Sequence, residues 1–202
     1  MIKCLDEEVF VGAVDELSMR DSELARVVET WGSPPLWVRE PGFPTLVYII
    51  LEQQVSLASA KAAFDRLNAA VRPLTPGRFL KLTDSELLRI GFSRQQTLYT
   101  RLLAESLSRD AARKMLIAFK GIGKWTADIY LLSALRRPDI WPTGDLALAT
   151  AVQEVKRLRQ RPSPERLEKM SAPWRPWRAV AARLFWHHYL SKRGKRTSEI
   201  SL

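Results

Sequence analysis

The sequence predicts an all-α protein built of many short helices. Three observations carry this: helix start signals recur at short intervals, the apolar residues between them repeat at spacings of three and four, and no run alternates strictly as a half-buried strand would. Thr75 before Pro76, and Ser163 before Pro164, each pair an N-cap hydroxyl with a residue whose missing N–H costs nothing in a first turn. Thr83 with Glu86, and Ser93 with Gln96, fit the capping box, in which side chains satisfy orphan amides in both directions. Leu46, Ile49 and Ile50, and later Leu98, Leu102 and Leu103, keep the helical period. The helices so predicted span about 5–18, 21–31, 45–55, 57–71, 76–82, 84–90, 94–107, 109–119, 124–136, 146–157, 164–171 and 176–191. The segment from Gly32 to Pro44 carries Pro34, Pro35, Pro41 and Pro44 and is the longest linker. It also holds Trp37 and Phe43, which a flexible tether would waste, so it reads as a packed loop within one globule. The basic tail from Lys192 onward has little to pack and reads as frayed.

At 202 residues the chain is expected to form a single domain, 1–202, and 46% hydrophobic content is enough to bury a core. Thirty-two Lys and Arg against 22 Asp and Glu leave a formal charge of +10, which points to a polyanionic partner. Nucleic acid is the first candidate and an anionic membrane surface the second. The basic residues are spread along the chain with no single amphipathic stripe, which disfavours the membrane. Cys4 is the only cysteine, which excludes an intrachain disulfide framework and a four-cysteine zinc or iron–sulfur site. No apolar run approaches the roughly 18 residues of a membrane span, and Asp6, Glu7 and Glu8 stand where a signal peptide would be basic and then apolar. The expectation is a soluble intracellular chain, in the cytoplasm and nucleoid or, in a eukaryote, the nucleus.

The most informative stretch is Phe119-Lys120-Gly121-Ile122-Gly123-Lys124-Trp125-Thr126-Ala127-Asp128, set between two helical patterns. Two glycines around one apolar residue permit a tight turn, so the first amides of the next helix can approach an anion directly. Ile122 would turn inward and lock the two helices together. From the glycines alone, the plainer reading is an αα-hairpin with a glycine C-cap. Lys120 and Lys124 on either side, with the overall basic charge, favour a phosphate clamp.

This stretch resembles the helix-hairpin-helix of the DNA glycosylase superfamily, whose Gly/Pro-rich loop is followed by an Asp. Four further landmarks stand in the family's order. Pro41-Gly42-Phe43-Pro44 leading to Ile50-Leu51-Glu52-Gln53-Gln54-Val55-Ser56 looks like the family's helix and wedge turn, with Gly91-Phe92-Ser93-Arg94 next. Trp141-Pro142-Thr143-Gly144-Asp145 falls where the catalytic Asp belongs, and Pro173-Trp174-Arg175-Pro176-Trp177-Arg178 is similar to the C-terminal signature of the alkylpurine branch. The resemblance covers roughly residues 41–190. It implies two helical lobes with a cleft between them, a hairpin at about 109–136, and N- and C-terminal helices sharing one lobe. The extra N-terminal β domain that some relatives carry is expected to be absent.

By residue type Asp145 is a good N-cap for a helix beginning at Leu146, and judged alone that is the stronger reading. The resemblance assigns it the catalytic role, and the two are compatible, since a helix N-terminus orients a carboxylate and favours its charge. Breaking an N-glycosidic bond builds oxocarbenium character on the sugar, which a fixed carboxylate can stabilise, or it can orient the attacking water. Asp128 reads as structural. Bifunctional members of the superfamily place a nucleophilic Lys where this chain has Trp125, and Lys124 is one place off, turned by about 100° on a helix. A monofunctional enzyme that uses water and leaves an abasic site is expected.

The resemblance places aromatic base contacts at Trp125 and Trp177, while Trp174 is read as packing. An indole face attracts an electron-poor base, and N-methylated purines carry positive charge and leave without a general acid. Alkylated purines, of the 3-methyladenine and 7-methylguanine type, follow as the substrate class. Bacterial alkylpurine enzymes tend to put a Tyr one turn after the Trp, where this chain has Ile129. A deaminated base, hypoxanthine or uracil, is therefore the alternative substrate. Gln54 matches the wedge that fills the gap left by a flipped base, though by itself it is an exposed polar residue at a helix end. Gly121, Ile122, Gly123, Lys124 and Thr126 are expected at the DNA backbone. A structural Na⁺ or K⁺ on backbone carbonyls around Ile117, Phe119 and Ile122 is implied, with no side-chain metal site and no other cofactor. His187 and His188, adjacent and so pointing apart, are not read as ligands. The basic run Lys156, Arg157, Arg159 and Arg161 reads as a solvated face that also fits the flank of a DNA track. The expected partner is double-stranded DNA with a damaged base, bound by a monomer without membrane association. The remaining alternative is a non-catalytic DNA-binding module that keeps the hairpin only as a backbone clamp, against which Asp145 argues.

Overall fold

The computed structural model describes residues 4–108 and 123–194, and every regular element among them is helical. The order is α1 Glu7–Arg20, α2 Ser22–Trp31, α3 Phe43–Leu51, α4 Leu57–Ala70, α5 Pro76–Phe79, α6 Asp84–Ile90, α7 Arg94–Ser108, α8 Lys124–Ser133, α9 Leu146–Val155, α10 Pro164–Met170, a 3₁₀ turn Ala172–Trp174, and α11 Arg178–Lys192. The expected helix over 109–119 lies outside the described residues. Among the described residues no helix is long and apolar enough to cross a membrane.

The helices begin where short-range chemistry starts them. Thr83 and Glu86 form a reciprocal capping box on α6, and Ser93 and Gln96 bond in the same two directions at the start of α7. Thr75 and Ser163 cap α5 and α10 with proline in the first turn. Several ends differ from expectation, among them α5, which stops at Phe79. α3 stops at Leu51 because Gln54 takes a left-handed backbone, φ +60°. α8 stops at Ser133, where Arg136 has φ +51° and the Arg137 N–H returns to the Leu131 carbonyl at 3.0 Å. α9 stops at Val155, two residues before Arg157 with φ +51°. The 3₁₀ turn is an addition.

The chain divides into two compact units, Met1–Arg39 with Leu131–Leu202, and Glu40–Tyr130. One boundary falls in the proline-rich loop, whose Leu36 and Trp37 are buried, and the other within α8. In the first unit α11 is the central helix, with Ala179 through Phe185 fully buried and α1, α2 and α9 packed around it. A helix enclosed on all sides is normally apolar all round, and Arg183 departs from this. Its guanidinium donates to the carbonyls of Leu36 (2.7 Å), Leu132 (2.9 Å) and Ala179 (3.0 Å), and stands 5.9 Å from the Phe10 ring centroid. Burial pulls its pKa down to about 9, and the three acceptors favour the charged form that remains at neutral pH.

A second polar knot joins α1, α2 and α9. Asp21 caps α2, accepts from Trp174 Nε1 at 2.8 Å, and pairs with Lys156 Nζ at 2.6 Å, while Lys156 also reaches Glu23 at 2.9 Å. Burial works to raise the Asp21 pKa, but the bonds from Lys156 and Trp174 and the Lys156 charge prevail and hold it below the ordinary carboxylate value. Lys156 is thereby structural, not part of a solvated face. Trp174 packs against Trp141 and Phe185, with centroids 5.2 and 5.0 Å away, in line with the packing reading.

In the second unit Phe79 lies between Phe43 and Phe92, both at 5.9 Å between centroids, so α5 is pinned by rings from α3 and the start of α7. Gln96, buried, donates across to the carbonyl of Leu51 (3.1 Å) and to that of Ile50 (3.4 Å), which also accepts from the Gln53 N–H at 3.2 Å, at the end of α3. A side chain four positions into one capping motif thus finishes another helix.

Candidate active site

In the first unit, Asp145 stands at the N-cap of α9, after the turn Trp141-Pro142-Thr143-Gly144 that its own N–H closes onto the Pro142 carbonyl at 3.1 Å. Its Oδ1 accepts two hydrogen bonds, from the Leu148 backbone N–H at 2.6 Å and from Trp186 Nε1 at 3.1 Å. The segment leading to it is tied to α10 and α11. Arg178 donates to Asp139 at 2.6 Å and to Glu168 at 3.0 Å, Thr143 donates to Glu168 at 2.7 Å, and the Ala179 N–H reaches the Pro138 carbonyl at 2.9 Å. The carboxylate is therefore held by fixed donors on a rigid frame, at a helix end whose partial positive charge favours an anion. Leu146, the next residue, is 63% exposed, so this end of α9 faces solvent within its unit.

Trp186 is the residue that sequence reasoning missed. A buried indole N–H needs an acceptor, and that requirement was legible. Its partner lies 41 residues earlier, so the sequence could not name it. Trp177, which the sequence placed at the base pocket, is buried and donates its Nε1–H to Glu16 Oε2 at 2.7 Å. Arg20 donates to the carbonyls of Pro173 and Arg175, so α1 holds the Pro173–Trp177 signature through two side chains.

In the second unit, the paired glutamines after α3 take opposite orientations. Gln53 turns inward and donates from Nε2 to Thr126 Oγ1 at 2.8 Å. Gln54 is exposed, in the left-handed region, and makes no hydrogen bond through its side chain among the described residues. Thr126 is 1% exposed, in the first turn of α8. Trp125 is half-buried beside it, and Ile129, one turn on, is buried. Lys124 is exposed and pairs with Asp128 at 3.0 Å, which gives Asp128 the structural partner expected of it. Gly123 offers its carbonyl to the Ala127 N–H at 3.1 Å, and a Cβ built on it meets nothing within 4 Å among the described residues. Gly121, Ile122, and the Ile117 and Phe119 carbonyls expected at a monovalent ion lie outside the described residues.

The histidines have ordinary partners: His187 Nε2 lies 2.9 Å from the Trp31 carbonyl, and His188 Nε2 lies 3.1 Å from Glu154. Burial lowers the His188 pKa, outweighing the opposing pull of Glu154. Among the described residues no three His, Cys, Asp or Glu are grouped to hold a metal ion.

The chain belongs to the HhH-GPD superfamily of base excision DNA repair proteins, whose family model matches residues 47–176. It is 30% identical over 122 residues to the DNA-3-methyladenine glycosylase of Bacillus subtilis, a match covering 54% of this chain and 40% of that protein. It is 34% identical over 161 residues to a probable bifunctional transcriptional activator/DNA repair enzyme AlkA of Mycobacterium tuberculosis, covering 69% of this chain and 32% of the relative. It thus spans well under half the length of these two relatives. Its fold is similar to that of the Schizosaccharomyces pombe 3-methyladenine DNA glycosylase Mag1 in complex with abasic DNA. There the TM-score is 0.78 at 26% identity, over 87% of this chain and 95% of that one.

Proposed function

We propose that the chain is a monofunctional DNA N-glycosylase that flips alkylated purines, of the 3-methyladenine and 7-methylguanine type, out of duplex DNA and excises them by hydrolysis. The observation that carries this is the Asp145 carboxylate, with Oδ1 fixed by Leu148 N–H and Trp186 Nε1 at a helix N-terminus. As the glycosidic bond lengthens, positive charge grows on the sugar, and a carboxylate already oriented stabilises it without reorganising. An N-methylated purine departs as a neutral base, so no general acid is required. Water completes the step and an abasic site remains.

In this reading Trp125 and Ile129 contact the flipped base, Gln54 fills the vacated stack, and Gly121, Ile122, Gly123 and Lys124 hold the DNA backbone, while Thr126, 1% exposed and bonded by Gln53, supports them from within. Trp125 occupies the place of a Schiff-base lysine, and the neighbouring Lys124 is paired with Asp128, which supports hydrolysis over lyase chemistry. The partner is damaged double-stranded DNA, bound by a monomer in the cytoplasm and nucleoid or the nucleus. A monovalent ion at the hairpin carbonyls belongs to the same proposal; an iron–sulfur cluster does not, since Cys4 is the only cysteine. The aliphatic Ile129 keeps a deaminated base as the second substrate reading.

The test is release of free bases from N-methylated duplex DNA by the wild-type chain and by Asp145→Asn, with each product identified by chromatography. Methylated purines released by the wild type and nearly absent with the variant are the expected result. Duplex binding without release of any base overturns the alkylpurine assignment, and release from a panel of deaminated bases then decides for the second reading.

A further inference from the structure

We infer that Gln53 is a positioning residue for base extrusion, which ties the turn carrying Gln54 to the first turn of α8. The inference rests on the glycosylase reading above and concerns how its wedge is held. Gln54 is a non-glycine residue at φ +60°, a strained conformation that persists only where its surroundings over-determine it. Three contacts do so. Gln96 holds the Ile50 and Leu51 carbonyls just before the turn. Ser56 closes it by capping α4, accepting from the Ser59 N–H at 3.1 Å. Gln53 anchors its middle to Thr126 at 2.8 Å.

Of these only the Gln53 bond runs to the helix whose start is proposed to hold the DNA backbone. Thr126 is buried and α8 is regular from Lys124, so the acceptor is fixed. A wedge works by pushing into the stack, and the reaction to that push must be carried by something that grips the duplex. The amide bridge supplies that path, because it sets the separation between Gln54 and the first turn of α8. The two adjacent glutamines thus have separate roles, Gln54 entering the DNA helix and Gln53 bracing it.

The experiment compares the wild type, Gln53→Ala, Gln54→Ala, the double variant and Thr126→Val, which keeps its shape and loses the acceptor. Each is assayed for single-turnover excision of one 7-methylguanine placed opposite cytosine or in a single-nucleotide bulge, and for affinity to the undamaged duplex. A net hydrogen bond of ordinary strength corresponds to about a fivefold effect. Gln53→Ala and Thr126→Val should therefore lower excision opposite cytosine about fivefold while excision from the bulge falls less than twofold. The double variant should match Gln54→Ala alone, because Gln53 acts through it. Equal losses on both substrates, or losses that multiply in the double variant, overturn the bracing role. A wild type that releases no methylated base from either substrate overturns the glycosylase reading itself, and this inference with it.

Discussion

Replacing Trp186 by Phe keeps an aromatic ring in the core and removes one atom pair, the indole N–H and Asp145 Oδ1, 3.1 Å apart. A hydrogen bond to a carboxylate contributes about 1.5–3 kcal/mol, and at about 1.36 kcal/mol per tenfold in rate its full loss slows the chemical step roughly 10- to 150-fold. Leu148 N–H still holds the same oxygen at 2.6 Å, so the carboxylate stays restrained. The expected loss is at the low end, about 10- to 30-fold. The assay is the single-turnover rate of methylpurine release at saturating enzyme, with undamaged-duplex affinity measured beside it. Asp145→Asn is the reference, since Asn caps a helix as well as Asp and the variant should unfold at the wild-type temperature while losing activity. Wild-type single-turnover rates for Trp186→Phe, next to an inactive Asp145→Asn, refute the positioning of the carboxylate by the indole. An equal loss of duplex affinity and rate refutes it as well, by showing a general disturbance of the unit.

The remaining predictions concern the backbone clamp, the acid limb and the core. Gly123→Leu adds a Cβ that meets nothing within 4 Å among the described residues and costs about 1 kcal/mol at most as a poorer N-cap. It should weaken binding to duplexes of any sequence and flatten the slope of affinity against salt; unchanged binding removes this glycine from the interface. Asp21 has a carboxyl pKa lowered from 3.8 in the folded chain, so its contribution is complete above about pH 4 and is lost as pH falls through the folded value. Asp21→Asn should therefore lower the melting temperature at neutral pH and converge with the wild type in acid, and a constant difference across pH contradicts the assignment. Arg183→Met removes three buried hydrogen bonds to carbonyls and should cost about 3 kcal/mol or more in urea unfolding, with Arg183→Lys intermediate; a loss under about 1 kcal/mol for Met shows those carbonyls satisfied by water.

What the sequence made legible follows from the range of the interactions involved. Helix starts depend on three or four adjacent residues, so the caps of α5, α6, α7 and α10 could be read directly, as could the cap role of Asp145. Helix ends were harder for a physical reason. No glycine marks the close of α3, α8 or α9; Gln54, Arg136 and Arg157 take left-handed backbones instead, which only packing with distant residues can enforce. Gln96 bonding 45 residues back to Leu51 is one such enforcement, and no local pattern encodes it. The same limit hid Trp186, whose acceptor lies 41 residues earlier, and hid the difference between Gln53 and Gln54, identical in type and adjacent in sequence. Lys156 was misplaced for a related reason: a basic run looks solvated until an acidic knot from α2 closes on one member of it.

The way Asp145 is held bears on why a chain with a charge of +10, proposed to bind duplex DNA, would keep a carboxylate at a helix end that faces solvent. A phosphate clamp gains from helix N-termini left open to anions, and an Asp at the cap fills that position with the wrong sign. The arrangement costs affinity for a polyanion at this spot while holding one oxygen with two donors. As a cap alone, Asp145 needs only the Leu148 N–H, and a Ser or Asn would serve equally well without repelling a phosphate. The second donor, Trp186 Nε1, adds nothing to capping, since it satisfies no backbone group of α9. It does fix the direction of the carboxylate, which matters only if something must meet that carboxylate in a defined place. A cation that forms briefly on a sugar is such a partner, and the undamaged duplex is not. If so, Asp145→Ser should bind undamaged duplex more tightly than the wild type and excise nothing, and a Ser variant that binds no more tightly shows that the carboxylate does not face the DNA.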